Sequence, residues 1–286
     1  MLFFSFKKKS FSSKFHFLIK DICSFKSICS AVILQYKVFY ILHILFLHLQ
    51  NMNKILLLAV IFFISSCTNN ASIDHLYPSE DLIIRNHDDW GEGNYKKVIK
   101  EFKSNPLNFG DIVFLGNSIT EGGKNWSKRL NYPNIKNRGI GGDVTDGVLA
   151  RLDEIIYFKP KAVFLLIGIN DLWNNGSPND PSSEHIANNI TKISQVINAQ
   201  TPKTKIYIQT ILPIENEQYK NNILKVNEII KANEKDNPYQ IIDLYSIFAN
   251  ENGIIKSELS TDGIHLNEEG YNTWIEFIKP IVYSIN

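Results

Sequence analysis

The 286 residues are 44% hydrophobic and 21% charged, the balance of a globular chain of one or two domains, which excludes a fibrous or fully disordered protein. The formal charge of +1 hides an asymmetry: residues 1–54 hold eight of the 30 basic residues and one of the 29 acidic ones, leaving 22 against 28 and a net charge of −6 for 55–286. A mildly acidic body with no basic stripe argues against nucleic acid as a partner.

The chain has two methionines, Met1 and Met52, and the second opens MNKILLLAVIFFISSC. Lys54, an apolar run over 55–64 and small residues before Cys67 follow the layout of a secretory signal peptide. Because the small residues end on a cysteine, Ile64-Ser65-Ser66-Cys67 resembles a bacterial lipobox, in which Cys67 would carry lipid and 67–72 would form the anchor and a short tether. About ten apolar residues fall short of the roughly 20 that span a bilayer. The expectation is a signal peptide over 52–66, a folded domain over 73–286 and an exported bacterial lipoprotein, held at a periplasmic or cell-surface membrane. Residues 1–51 read as an upstream extension before a working start at Met52. The alternative is a membrane-spanning leader, since 31–49 is strongly apolar although Lys37, His43 and His48 interrupt it. Cys23, Cys29 and Cys67 are the three cysteines, so 68–286 has no disulfide framework and no cysteine-based metal site.

Taken in order, residues 73–103 read as a polar N-terminal cap with a helix over 95–102 and with Trp90 and Tyr95 as packing anchors. Residues 112–115 are four apolar residues running into Gly116-Asn117-Ser118, the pattern of a buried parallel strand ending at a tight turn. A short strand is predicted over 134–138. Over 145–158, Val148, Leu149, Leu152, Ile155 and Ile156 have the spacing of a helix burying one face, with Asp143, Thr145 and Asp146 suited to its N-terminus. Residues 161–168 form another apolar strand ending at glycine. A helix over 182–200, a strand over 205–212, a helix over 218–235 and a last strand over 239–244 follow. A closing helix over 267–284 is expected to bend or end near Pro280. Strands alternating with helices imply a three-layer α/β/α domain with a five-stranded parallel sheet.

The chemistry concentrates at strand ends, where open α/β sheets place their sites. Ser118 is a candidate nucleophile but needs a base. Leu259-Ser260-Thr261-Asp262-Gly263-Ile264-His265 offers one: an aspartate three residues before a histidine can hold the imidazole tautomer while the other ring nitrogen serves a hydroxyl. Glycine-bearing turns also follow the second and third strands, at Gly139-Ile140-Gly141-Gly142-Asp143 and Gly168-Ile169-Asn170-Asp171. The backbone N–H groups of Ser118 and Gly142 and the amide of Asn170 would suit a developing oxyanion.

Four blocks in order, GNSIT, GIGGD, GIND and DGIH, resemble those of the SGNH hydrolases, or GDSL-type esterases and lipases, over 110–283. The resemblance implies a flavodoxin-like fold, a catalytic triad of Ser118, Asp262 and His265, an oxyanion hole of Ser118, Gly142 and Asn170, and no metal or other cofactor. RGIGGDVTDGVLARL over 138–152 is especially similar to the catalytic subunits of intracellular platelet-activating-factor acetylhydrolases and to bacterial carbohydrate O-acetylesterases. The substrate so implied is a small acyl ester, acetyl on a glycan foremost. The alternatives are a lysophospholipase or general short-chain lipase, and a non-catalytic glycan-binding lipoprotein. Asn117 stands where the name-giving motif has aspartate, and altered tuning rather than lost activity is expected.

Around the blocks, Asn117, Asp143, Asp171 and Trp173 are further candidates for substrate contact. Asp171 could equally cap the following turn, and Trp126 and Trp173 could wall a sugar pocket, although aromatics at such places are more often core. His75, His87 and His185 have no comparable constellation and read as surface or packing residues. GNSIT lacks the second glycine of G-x-S-x-G, which disfavours an α/β-hydrolase of that kind. Oligomeric state has no sequence signal.

Overall fold

A computed structural model of the protein describes residues 73–172 and 181–285, together with the isolated helical residue Ile41. By its internal contacts the chain separates into Met1–Ala71 and Ser72–Asn286, and the sheet lies in the second unit. The signal-peptide and lipidation segment, including Cys67, and Trp173 lie outside the described residues.

Five parallel strands form one sheet: β1 Ile112–Gly116, β2 Ile135–Gly139, β3 Ala162–Leu166, β4 Lys205–Gln209 and β5 Gln240–Ile242, in the spatial order β2-β1-β3-β4-β5. The order reverses direction between β1 and β3, which makes the carboxyl end of β1 the topological switch point. The apolar runs form the central strands because a strand covered on both faces needs hydrophobic residues at successive positions, and all five residues of both β1 and β3 are buried. On one face Phe114, Phe164 and Tyr207 stand in register across β1, β3 and β4, with ring centroids 4.8 and 4.7 Å apart. Trp126 stacks on Phe114 at 4.3 Å and meets Trp274 edge-on at 4.8 Å. Trp126 is fully buried and belongs to this core, not to a sugar pocket.

The helices are α1 Asp89–Ser104, α2 Ser118–Gly122, α3 Trp126–Leu130, α4 Thr145–Ala150, α5 Asp153–Phe158, α6 Ser183–Gln200, α7 Lys220–Asn233, α8 Leu244–Phe248 and α9 Glu268–Tyr283. α1 starts earlier than its apolar pattern because Asp88 caps it, accepting from Gly91 N at 2.6 Å. The single helix expected over 145–158 is two, broken at Arg151 and Leu152. There the Arg151 guanidinium turns inward to Asp143, Arg138 O and Gly116 O at 2.8–3.0 Å. The expected side-chain cap at 143–146 is also absent: Val144 occupies the cap position, and the carboxylate of Asp171 accepts from Thr145 N instead, at 3.0 Å. α9 continues three residues past Pro280, to Tyr283.

Candidate active site

Ser118 sits at the first position of α2, where β1 gives way to helix at the switch point. Asn117 makes this turn possible: its carboxamide oxygen accepts from Ile119 N at 3.1 Å. Ser118 Oγ lies 3.0 Å from His265 Nε2, and His265 Nδ1 lies 2.7 Å from Asp262 Oδ2. The other carboxylate oxygen, Oδ1, accepts from the backbone N–H of His265 at 2.8 Å and of Ile264 at 3.0 Å. The carboxylate thus closes the turn that carries its own histidine and aims the ring. Partial burial pushes the Asp262 carboxyl up, but the hydrogen bonds from the His265 ring and from the two backbone groups outweigh it and hold the group below the ordinary carboxylate range. Gly263, with φ +83°, supplies the left-handed residue the turn requires.

The other side of Ser118 follows from strand order. β2 and β3 flank β1, and Gly116 pairs with Gly139 on one side and Leu166 on the other. The loops after all three strands therefore open on one rim, bringing the segments of Ser118, Gly142 and Asn170 together. Gly142 has φ +80°, a conformation costly for any residue with a Cβ. As the first residue of its helix, Ser118 has an N–H with no intrahelical acceptor. No turn, cap or side-chain bond among the described residues takes that N–H or the N–H of Gly142. Asn170 donates to Asp143 O at 2.8 Å, which fixes its amide and leaves one N–H of the group to point elsewhere.

Behind this rim lies a wall of buried polar groups. Asp143 is fully buried and paired with Arg151, whose side chain is 4% exposed, at 2.8 Å. His87 approaches the other oxygen of Asp143 at 3.2 Å. Asp171, also fully buried, takes three hydrogen bonds from Thr145, two from N and one from Oγ1 at 2.5 Å. Burial pushes its carboxyl up to about 6 despite those bonds, and Asp146 and Asp143 add to the rise. Glu121 holds the 139–143 loop from the near side, accepting from Gly141 N at 2.9 Å.

A family model for the GDSL-like lipase/acylhydrolase family matches residues 114–273. The chain belongs to this family. Among curated proteins, the human platelet-activating factor acetylhydrolase IB subunit alpha2 is 28% identical over 222 residues, covering 75% of this chain and 89% of that protein. A GDSL-like lipase from Bacteroides thetaiotaomicron VPI-5482 superposes with a TM-score of 0.58 at 25% identity, over 66% of this chain and 97% of its own. The acetyl xylan esterase AlAXEase shares the fold, with a TM-score of 0.52 and 24% identity over 60% of this chain and 99% of its own. The expected flavodoxin-like hydrolase fold and the expected class, a carboxylic ester hydrolase, are therefore shown.

Not every candidate reaches the rim of this GDSL-family site. Asn117, Asp143 and Asp171 are 1%, 0% and 0% exposed and are committed to protein partners, so they brace the site instead of meeting substrate. Asp171 caps α4 across the site rather than the turn that follows it. His87 is a packing residue, but one built into the ionic wall, its side chain 1% exposed. Arg151 and Glu121 carry no assignment from the sequence alone, and Thr145, expected at a helix N-terminus, also bonds the carboxylate of Asp171 through its hydroxyl. For Arg151 the sequence carries a signal: it lies three residues after Val148 and four before Ile155, inside the apolar stripe. Trp90, expected as a packing anchor, is 64% exposed, whereas Tyr95 is buried and donates to Gly147 O at 3.0 Å. The Trp90 ring lies against Gly141 and Gly142, where a side chain would displace it.

Proposed function

We propose that this GDSL-family hydrolase is a serine esterase that removes short acyl groups, acetyl foremost, from carbohydrate. The observation that carries the reading is the continuous relay of Ser118 Oγ, His265 and Asp262, at 3.0 and 2.7 Å, on an open rim. His265 Nε2 takes the Ser118 proton as Oγ attacks the ester carbonyl. The N–H groups of Ser118 and Gly142 and the amide of Asn170 receive the oxyanion. The imidazolium then returns the proton to the departing alkoxide, and water, deprotonated by the same nitrogen, releases the acid from the acyl-serine. Asp262 keeps the Nδ1 proton in place throughout.

Two features favour a small acyl group on a bulky alcohol. The side chains of His265 and Asp262 are 44% and 52% exposed, so a large alcohol half can remain in solvent. Among the described residues, the ground behind Gly142 and Asn170 is occupied by Asp143, Thr145 and Asp171, a polar backing unsuited to a long acyl chain. The pattern from Lys54 to Cys67 supports export and a lipid anchor on Cys67, which would put the enzyme at a bacterial surface or periplasmic membrane beside extracellular polymers. A second reading, hydrolysis of an acetyl or acyl ester on a glycerophospholipid, is favoured by the identity to the platelet-activating factor acetylhydrolase subunit.

The test is hydrolysis of p-nitrophenyl acetate, butyrate and octanoate by the purified protein, with acetate release from acetylated xylan alongside. Rates falling with chain length and acetate released from xylan support the proposal. Preference for octanoate transfers it to the lipid reading, and failure to react with a fluorophosphonate probe would leave only a binding role. Incorporation of an alkyne fatty acid that is lost in Cys67→Ala tests the anchor, and equal labelling of both proteins refutes it.

A further inference from the structure

Trp90 stands in the first turn of α1 with 64% of its surface exposed. An isolated exposed apolar residue needs no explanation; the setting of this one does. The six-membered half of the indole lies across Gly141 and Gly142. A Cβ on Gly142 would sit 2.9 Å from Cζ3 and 3.2 Å from Cε3, and one on Gly141 would sit 3.2 Å from Cη2. Two adjacent residues without side chains therefore form the seat of the ring, and one of them carries the oxyanion N–H. The seat is rigid. Asn94, one turn along α1, donates to Gly141 O at 2.9 Å, Asp88 caps the helix at 2.6 Å, and Tyr95 is bonded to Gly147 O. A Cβ on Gly91 would lie 3.4 Å from Gly142 O, so the first turn of α1 rests directly on the oxyanion loop. The indole N–H has no hydrogen-bond partner among the described residues.

We infer that Trp90 is a stacking platform for a sugar ring in the alcohol half of the ester. The inference rests on the carbohydrate reading above and locates where that carbohydrate lies. The face of a pyranose that carries axial C–H groups is apolar and slightly positive, and it complements the electron-rich face of an indole. With one edge of the ring seated against Gly142, the residue whose N–H receives the oxyanion in the proposed mechanism, a sugar on its open part would lie on the same rim as the scissile ester. Other occupants fit less well. A quaternary ammonium is held by a cage of several aromatic faces, and among the described residues no ring contact joins a second aromatic to Trp90. An anionic lipid surface would face Asp88 and Asp89, both exposed beside the ring, and would be repelled.

The experiment compares wild type, Trp90→Ala and Trp90→Phe on three acetates: acetylated xylo-oligosaccharide, ethyl acetate followed by acid release, and a 2-acetyl glycerophosphocholine. Ethyl acetate is used because an aryl ester could itself stack on the indole. The expected result is a fall of roughly tenfold in the ratio of kcat/KM for oligosaccharide over ethyl acetate in Trp90→Ala, carried by KM, with most of the ratio recovered in Trp90→Phe. Equal losses on both substrates would mean that the indole only props the oxyanion loop, and would overturn the platform. A loss confined to the phosphocholine ester would give the ring to a quaternary ammonium and overturn it as well. If wild type cleaves ethyl acetate but no acetylated sugar, the carbohydrate reading itself fails and takes the platform with it. If wild type cleaves acetylated sugar and Trp90→Ala does so with an unchanged ratio, the platform alone fails.

Discussion

On one side of Ser118, a carboxylate and an imidazole come from a single turn. Asp262 and His265 are three residues apart, roughly half exposed, and joined at 2.7 Å. On the other side, the buried polar groups behind the rim come from segments spread from His87 to Asp171, and their charges are covered: Asp143 and Arg151 at 0% and 4% side-chain exposure, with Asp171 fully buried beside them. An exposed ion pair adds little to stability because water screens it and ordering its side chains costs entropy. A buried pair is expensive to form and more expensive to break, since removing one partner strands the other in a medium of low dielectric. The two halves should therefore fail differently, the first in rate and the second in folding.

The largest expected effect lies on the catalytic side. Ser118→Ala and His265→Ala should each lower kcat on p-nitrophenyl acetate by a factor on the order of 10³ or more, while the thermal midpoint stays within a few degrees of wild type. Residual activity near the wild-type level in Ser118→Ala would remove the serine from its role. The opposite signature is expected for Asp143→Ala, which leaves the Arg151 guanidinium buried without its carboxylate and should cost about 3–5 kcal/mol in urea unfolding. Replacing both partners, Asp143→Ala with Arg151→Met, should recover part of that loss. A double variant less stable than Asp143→Ala would show that the pair is not the source.

The same contrast explains what could be read from the residues. The central strands were legible because 112–115 and 162–167 are apolar without interruption, and a doubly covered strand has to be. The turn of Asp262 and His265 was legible because the two residues interact at a fixed local spacing. The wall was not, because its contacts join residues distant in sequence: Asp171 to Thr145 across 26 positions, Asp143 to His87 across 56. No periodicity marks such pairs. The helix break at Arg151 was hidden for a related reason, since an apolar stripe locates a buried face but not a cation that bends the chain to reach a carboxylate. Trp90 misled because aromatics usually fill cores. What seats it on the surface is a pair of glycines some 50 residues later, visible only once the chain is folded.

The wall also has a pH signature. The Asp171 carboxyl, raised to about 6 by burial against an ordinary value near 3.9, binds its proton more tightly in the folded state than in the unfolded one. Its contribution is fully favourable below the unfolded value and is lost as pH rises through about 6. Across pH 4 to 6.5 the stability of wild type relative to Asp171→Asn should therefore fall by roughly 2 kcal/mol, measured by urea unfolding at each pH. A difference that is flat, or that grows with pH, would mean that the hydrogen bonds from Thr145 dominate over burial. Asp262, held below the ordinary range and half exposed, should show no comparable effect on stability.

The smallest effect is expected where the two halves meet. Asn117 is buried, yet its task is local: its carboxamide oxygen caps α2 by accepting from Ile119 N. Aspartate and asparagine are about equally good at that position, and a carboxylate would be favoured by the free N–H groups of the first turn, although at 1% exposure the added charge costs solvation. These terms oppose each other, so Asn117→Asp should change stability by less than about 1 kcal/mol and leave kcat within about tenfold. Asn117→Ala, which removes the acceptor, should cost about 1 kcal/mol and lower kcat by loosening the turn that presents Ser118. If the aspartate variant proves the worse of the two, Asn117 is reading charge in the buried wall instead of capping the helix, and it belongs energetically with Asp143 and not with the catalytic turn.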